Sequence, residues 1–471
     1  MSTQLFWFRN DLRIQDNTAL HKALIHGPTV AIYIATPDQW VAHDDAPIKI
    51  DFWRRNLHEL LASLQQINVP LYFFQVPTYA ELPQLVETIL KRWKIQNLYC
   101  NAEYPLNERK RDEGIAELCK KNKVEYHCLE DQCLLPPDFV LTGEGSPFKV
   151  FTPYAKKSRF IIESAGLAKS SKLDSNKTKN AELKQLPRLD KQLSIDQINW
   201  PNTETWWQQQ WPAGEKVAMQ RLQDFVDSKL YQYKTNRDHP AISGTSCLSP
   251  YLASGVISIR ICWETAKQDE TESSAQTWCN ELLWRDFYRY VMYHYPHVCK
   301  HQAWNKHYAK IPWRKSSEDF QRWCDGETGF PVIDAAMKQL KQSGWMHNRL
   351  RMVVAMFLSK NLLLDWRWGE RWFMQHLIDG DFASNNGGWQ WSASTGTDAA
   401  PYFRVFNPVR QSERFDTEGE FIKAYIPELH NENAKTIHDP AKIQNVYFPP
   451  MVDLNVTRER VLSVFKEYKG S

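Results

Sequence analysis

The chain has 471 residues, 42% of them hydrophobic and 24% charged, with a net charge of +3 and a mean hydropathy of −0.56. That length exceeds the size at which a single core stops growing, so at least two domains are expected. No apolar run approaches the roughly 20 residues that cross a bilayer, which excludes a membrane-spanning role; and +3 is too small a charge to argue for nucleic acid by its total, so its distribution must decide.

In chain order, the segment from Gln4 to Arg9 enters a strand-like run with no charged leader or apolar h-region before it, which reads as cytoplasmic. Leu5 to Phe8, Val30 to Ile34, Leu71 to Val76, Leu98 to Cys100 and Val124 to Leu129 are predicted strands. Between them Ile48, Phe52, Leu57, Leu60, Leu61 and Leu64 follow helical spacing, as do Leu82, Leu85, Val86, Ile89 and Trp93. The βαβ order predicts a Rossmann-like parallel sheet. The first turn, Phe8 to Arg13, contains no glycine, so any dinucleotide is expected to bind elsewhere.

Nine cysteines form no Cys-x-x-Cys pair, and their odd number argues for reduced, mostly packing thiols. From about Ala168 to Asn202 the composition shifts to Lys, Ser, Asp, Asn and Gln with little periodicity, which reads as a long connection wrapping the surface. After Trp211 the pattern is helical almost to the end. The expected division is an α/β domain over 1–130, a connection over 131–212 and an all-α domain over 213–471.

Candidate chemistry begins at Thr245, Ser246 and Ser249, three hydroxyl residues ahead of a helix in which Ser249 suits the N-cap and Pro250 the first helical position. Such a terminus favours phosphate, although an ordinary capped helix explains the same residues. In the helix predicted from about Gln276 to Tyr293, Glu281, Trp284, Arg285 and Tyr288 share one face. A carboxyl beside an indole is desolvated and can stay protonated near neutral pH, whereas the simpler alternative pairs Glu281 with Arg285 on the surface. Asn348, Arg351 and Met352 share the face of another helix. Asp379 and Asp381, then Asn385 to Trp391, crowd polar groups around what reads as a glycine-rich turn. No Cys or His at ligand spacing stands near them, so no metal site is expected, and a nucleophile motif is lacking.

Eleven of the 20 tryptophans lie between Trp278 and Trp391. Indoles stack on bases or flavins and can be oxidised by one electron, although core packing explains any single one. From Lys300 to Ser317 five basic residues and no acidic one interleave with Trp304, Tyr308 and Trp313, which taken alone reads as a solvated loop.

The motifs Phe6 to Arg13, Trp284 to Arg289, Gly344 to Met352 and Asp379 to Phe406 together resemble the class I DNA photolyases of the photolyase and cryptochrome family, across nearly the whole chain. The resemblance implies an α/β antenna domain, a helical domain holding a bent FAD, and light-dependent repair of cyclobutane pyrimidine dimers by electron transfer from excited reduced flavin to a flipped-out dimer. It places Tyr233, Thr245, Ser246 and Ser249 at the FAD phosphates and ribityl chain, Trp278 and Arg285 on the pocket wall, Asp379 paired with Arg351, Asp381 at the polar flavin edge and Asn385 facing N5. Glu281, Asn348, Met352, Trp284 and Trp391 would receive the dimer, with Arg237 and Arg349 contacting DNA. Trp389, Trp366 and Trp313 align with the family's electron-transfer chain. Asn107, Glu108, Cys299 and Lys300 match positions that bind 5,10-methenyltetrahydrofolate in one branch, with a deazaflavin or an empty site as alternatives. Cys247 stands where that branch commonly has a basic residue. The implied partner is DNA carrying dimers, and a monomer without an obligate protein partner is expected.

The rival on the same scaffold is a cryptochrome, a blue-light signalling flavoprotein without repair activity. The complete lesion set, and asparagine rather than aspartate at 385, favour repair. A (6-4) photoproduct enzyme would place histidine chemistry where Asn348 and Met352 stand, and a plain nucleic-acid-binding module leaves the phosphate cradle without purpose.

Overall fold

Strand β1 (Gln4–Phe8) is apolar on both sides of its pleat, and all five of its residues are buried. A strand of that kind belongs inside a sheet covered on both faces. The computed structural model, which describes residues 3–168, 180, 186–267, 273–443 and 447–468, places it centrally. It pairs in parallel with β2 (Thr29–Ala35) on one side and β4 (Asn97–Asn101) on the other. With β3 (Leu71–Gln75) and β5 (Glu125–Leu129) the sheet is five-stranded in the order β3-β2-β1-β4-β5. All five predicted strands and their parallel sense are present. Phe6 and Phe8 pack with helices Thr18–His26 and Pro47–Gln66. Leu5 and Trp7 pack with helices Leu82–Arg92 and Leu106–Lys121 on the opposite face.

The glycine-free segment after β1 is a brace to the helical half. Arg13 bonds Asp131 and the Gly255 carbonyl, and Arg260 pairs with Asp16 and Asp131 at 2.8 Å each. Burial would raise the Asp131 carboxyl, but these two guanidinium groups hold it below the usual carboxylate range. Of the connection, residues 169–179 and 181–185 lie outside the described residues. Near its end, Leu193 donates to the Phe73 carbonyl at 2.9 Å on the exposed side of edge strand β3, which occupies an otherwise open edge. Residues 131–212 also carry a helix, Phe151–Ala165, packed on the long helix Ser273–His294.

Beyond Trp211 the described residues are helical, as predicted. Their core divides: one part is continuous with the α/β half through Phe225, Trp278 and Phe287, and a second surrounds Trp323, Trp366 and Trp389. No helix of the described residues is long and apolar enough to cross a membrane. The nine cysteines are free thiols.

Candidate functional site

A cavity of about 480 Å³ opens between these two cores. Four chain segments meet at it, and each has a local reason for its shape.

The first is the loop leading into the short helix Ser249–Ala253. Contrary to the sequence expectation, Ser249 is not the N-cap: Leu248 takes that position and Pro250 follows Ser249 inside the helix. With no capping bond to make, the Ser249 hydroxyl accepts from the Trp345 indole at 3.2 Å and keeps its own proton. Thr245, Ser246, Cys247 and Ser249 all line the cavity with Tyr233.

The second is the helix Ser273–His294, whose Trp278, Glu281, Trp284, Arg285 and Tyr288 face inward. Glu281 does not pair with Arg285. Its Oε1 accepts from Arg237 Nη1 at 2.6 Å, while Arg285 donates to the Gln132 and Leu252 carbonyls at 2.8 and 3.2 Å. Burial pushes the Glu281 carboxyl up, and Arg237 only partly offsets this. Trp284 is stacked on Phe151, with centroids 3.8 Å apart and planes 9° apart, so only one of its faces is left for a ligand.

The third is the helix Asn348–Met356, capped by the His347 ring accepting from Arg349 N. Asn348, Arg351 and Met352 line the cavity. Arg351 Nη2 donates to both Asp379 carboxylate oxygens, at 3.0 and 2.7 Å.

The fourth corrects the glycine-rich turn. Asn385 to Trp391 lie inside a regular helix, Phe382–Ser392, begun by Asp381, whose carboxylate accepts from Ser384 N at 3.0 Å. Burial would raise that carboxyl, but Arg289 and Arg285 hold it below the ordinary range. A Cβ on Gly387 would stand 2.0 Å from the Tyr288 ring, so this glycine admits a close helix–helix approach rather than a bend. Asn385 spends its Nδ2 on the Glu370 carbonyl at 2.8 Å. Its Oδ1, with no donor among the described residues, is left to the cavity that Asn385 lines.

Trp389 and Trp391 also line the cavity. Trp366 is wholly buried outside it, and Trp313 is half-buried against the second core. Arg349 stands off the wall, paired with Asp238 at 2.8 Å and lying over Phe415. A second cavity of about 270 Å³, between the α/β and helical halves, takes Asn107, Glu108 and Cys299 into its wall. Lys300 is exposed and is not among its lining residues. Asn107 Nδ2 lies 3.0 Å from His43 Nε2, and Glu108 accepts from Tyr79 at 3.1 Å.

Sequence reasoning missed Phe151 and Glu370, which act from behind the lining residues, and the Arg237–Glu281 contact. Gly387, set against Tyr288, was a signal of close packing that the turn reading overrode.

A cavity with hydroxyls gathered at one end, paired charges along a side and an unspent amide oxygen fits a phosphate-bearing, hydrogen-bonding aromatic cofactor such as FAD. Two protein families match the chain: residues 4–170 match the one described as DNA photolyase, and residues 278–467 the FAD binding domain of DNA photolyase. A deoxyribodipyrimidine photo-lyase of Vibrio cholerae is 41% identical, covering 99% of this chain and 100% of its own length. A bacterial class III photolyase from Agrobacterium tumefaciens superposes with a TM-score of 0.86 at 31% identity, covering 100% of this chain and 98% of its own. An archaeal photolyase from Sulfolobus tokodaii, solved with two FAD molecules, gives 0.85 at 30%, covering 99% and 100%.

Proposed function

The chain belongs to the DNA photolyase family, and we propose on that premise that it uses light and FAD to repair cyclobutane pyrimidine dimers in DNA. The observation that carries this is the convergence on one cavity of a hydroxyl cradle, the Arg351–Asp379 pair, and a carboxyl set among aromatics.

Bound in that cavity, FAD supplies light absorption and one-electron transfer. The protein's part is to hold and to exclude. Tyr233, Thr245, Ser246 and Ser249 take the phosphate and ribityl end, and Trp278 and Arg285 close the wall beside it. Asp381 and the Arg351–Asp379 pair would hold the polar edge of the ring, and Asn385 would face N5 with its Oδ1. Asn348, Met352, Trp284 and Trp391 receive the flipped dimer. Extrusion costs a few kcal/mol, less for a damaged base, and stacking returns about 1 to 3 kcal/mol per base, so two indoles can offset it.

Arg237 has a double role in this reading. Away from DNA it neutralises Glu281, and a phosphate arriving on the duplex competes for it. With its cation drawn off, the half-buried carboxyl is shifted further toward the protonated form, which takes its proton from water and can donate it in a hydrogen bond to the pyrimidine carbonyl on which negative charge develops. Glu281→Gln is therefore expected to lower repair per absorbed photon several-fold while changing dark affinity less than about twofold, because an amide is the weaker acid. Yield measured against dose on a single-dimer oligonucleotide checks this, and equal yields remove the role.

About five basic groups, Arg237 and Arg349 among them, are assigned to phosphates. The logarithm of affinity then falls against the logarithm of salt with a slope of roughly −4 to −5. A flat dependence excludes this docking face.

The smaller cavity is assigned to an antenna chromophore, 5,10-methenyltetrahydrofolate, held by Asn107, Glu108 and Cys299. Lys300 reaches it only from solvent, and the second FAD of the archaeal relative makes a flavin the rival occupant. An absorption spectrum of purified protein, before and after removal of flavin, separates them. Residues 1–130 are then the antenna unit, 131–212 the connection and 213–471 the flavin- and DNA-binding unit, in a monomer working in the cytoplasm.

A further inference from the structure

The two cavities share a wall. Asp381 lines both of them, and the turn it closes is held from the α/β half. Lys49, on helix Pro47–Gln66, is buried with its ammonium 4.8 Å from the Trp53 ring centroid. Its Nζ donates to Asp45 Oδ1 at 2.6 Å and to the Gly380 carbonyl at 2.5 Å. Gly380 is the residue between Asp379, which binds Arg351, and Asp381, which binds Arg289 at 2.9 Å and caps the helix bearing Asn385.

We propose that Lys49 is a positioning residue for the flavin site: by fixing the Gly380 carbonyl it sets Asp379 and Asp381, and it links the contents of the smaller cavity to the grip of the larger one on its cofactor. This rests on the FAD reading given above. A hydrogen bond from an ammonium is stronger than a neutral one, and the pair is shielded from water and salt. The contact spans 331 residues of sequence and ends on the backbone of the turn, so a shift of Lys49 moves both carboxylates together. An ammonium has three protons. Two go to the oxygens of Asp45 and Gly380, and the third has no oxygen acceptor among the described residues, which leaves it for an acceptor in the smaller cavity that Lys49 lines with Asp45 and Trp53. A ligand that takes it and draws Nζ away loosens the turn. One that settles Nζ in place tightens it. By linkage, the flavin then alters the affinity of that ligand by the same factor.

The experiment compares FAD release, followed by flavin fluorescence, from the full-length flavin-loaded chain and three variants. Asp45→Asn/Lys49→Met removes both charges and so leaves no lone buried carboxylate; it is expected to release FAD at least fivefold faster, with a shifted visible spectrum of the bound flavin. Lys49→Gln keeps a donor for Gly380 and is expected to fall between the double variant and the native chain. Arg371→Ala breaks a different contact across the same boundary, Arg371 to Asp44 at 3.2 Å. It is expected to release FAD within twofold of native whatever it does to thermal stability. Release from the double variant within twofold of native overturns the proposal, as does equal acceleration by Arg371→Ala, which would make the effect one of general boundary stability. A native chain that takes up no FAD overturns the cavity reading itself, and is seen before any variant is made.

Discussion

Gly387→Ala is expected to destabilise the flavin-free protein by about 2 kcal/mol or more, whereas Gly388→Ala, one residue on, is expected to leave it as stable or slightly more so. Helix propensity alone favours alanine at both places, by roughly 0.5–1 kcal/mol over glycine in a helix interior, and so opposes the expected loss at Gly387. The surroundings separate them. A Cβ on Gly387 meets Tyr288 Cδ1 at 2.0 Å and Cε1 at 2.4 Å. Tyr288 is held in the helix that also carries Glu281, Trp284 and Arg285, so the ring cannot retreat without moving the cavity wall. Forcing a methyl into a packed helix pair typically costs 1–3 kcal/mol and displaces backbone, which outweighs the propensity gain.

A Cβ on Gly388 meets nothing within 4 Å, because that residue faces the cavity. Its methyl enters the space assigned to FAD. Gly388→Ala should therefore bind FAD at least tenfold more weakly with the fold intact, and Gly387→Ala should lose stability first and flavin as a consequence. Chemical denaturation of flavin-free protein, with FAD titration alongside, reads both. A Gly387→Ala protein as stable as the native chain would mean that the two helices do not approach so closely.

These two glycines also mark where the sequence could be read and where it could not. The central strands were legible because a segment buried on both faces, as β1 and β2 are, is a short continuous apolar run bounded by polar turns, and that pattern is local. Asn-Asn-Gly-Gly reads as a turn by the same local logic. The helix prevails because Asp381 caps it and because the space beside Tyr288 admits only glycine, a fact held by a residue about a hundred positions earlier. Glu281 fails in the same way: helical spacing offers Arg285 as its partner, yet Arg285 is drawn to two carbonyls, and Arg237 reaches the carboxylate from 44 residues away. Ser249 was misplaced by a single position, which is enough to turn a capping hydroxyl into one available for a ligand. Phe151, behind Trp284, had no signal at all, since it comes from a segment read as connection. Which residues line the cavity was thus largely legible from helix faces. What holds them in place was not.

Trp313→Phe is expected to slow light-driven reduction of oxidised, flavin-loaded protein by more than tenfold while leaving repair by chemically pre-reduced protein within about twofold of native. The route follows from packing. Trp389 lies on the cavity wall, and its ring crosses Gly369, where an added Cβ would be 2.1 Å from Cη2. Gly369 lies three residues after Trp366 on helix Trp366–Met374, hence on the same face. Trp366 is completely buried, with an indole Nε1 that has no hydrogen-bond partner among the described residues and with the Arg367 guanidinium 4.8 Å from its ring centroid. An oxidised indole there has no acceptor for its proton and faces a positive charge, so the electron vacancy is unstable on Trp366 and moves on. Trp313, assigned above to the end of this chain, is placed to hold it. The backbone beside it bonds Leu363, Arg314 N to O at 2.7 Å, which brings it alongside the segment entering Trp366, and its half-exposed ring can lose a proton to water. Phenylalanine is much harder to oxidise than tryptophan, so Trp313→Phe leaves the vacancy on buried residues, where the electron comes back to it from the cavity side before an external thiol can refill the chain. Repair starting from reduced flavin never uses this route and is spared. Steady-state bleaching of oxidised flavin under blue light, with a thiol present, measures the first quantity, and dimer repair after dithionite reduction measures the second. Unchanged photoreduction in Trp313→Phe would move the exit to another indole, and a parallel loss of repair would show that the substitution disturbs the cavity itself.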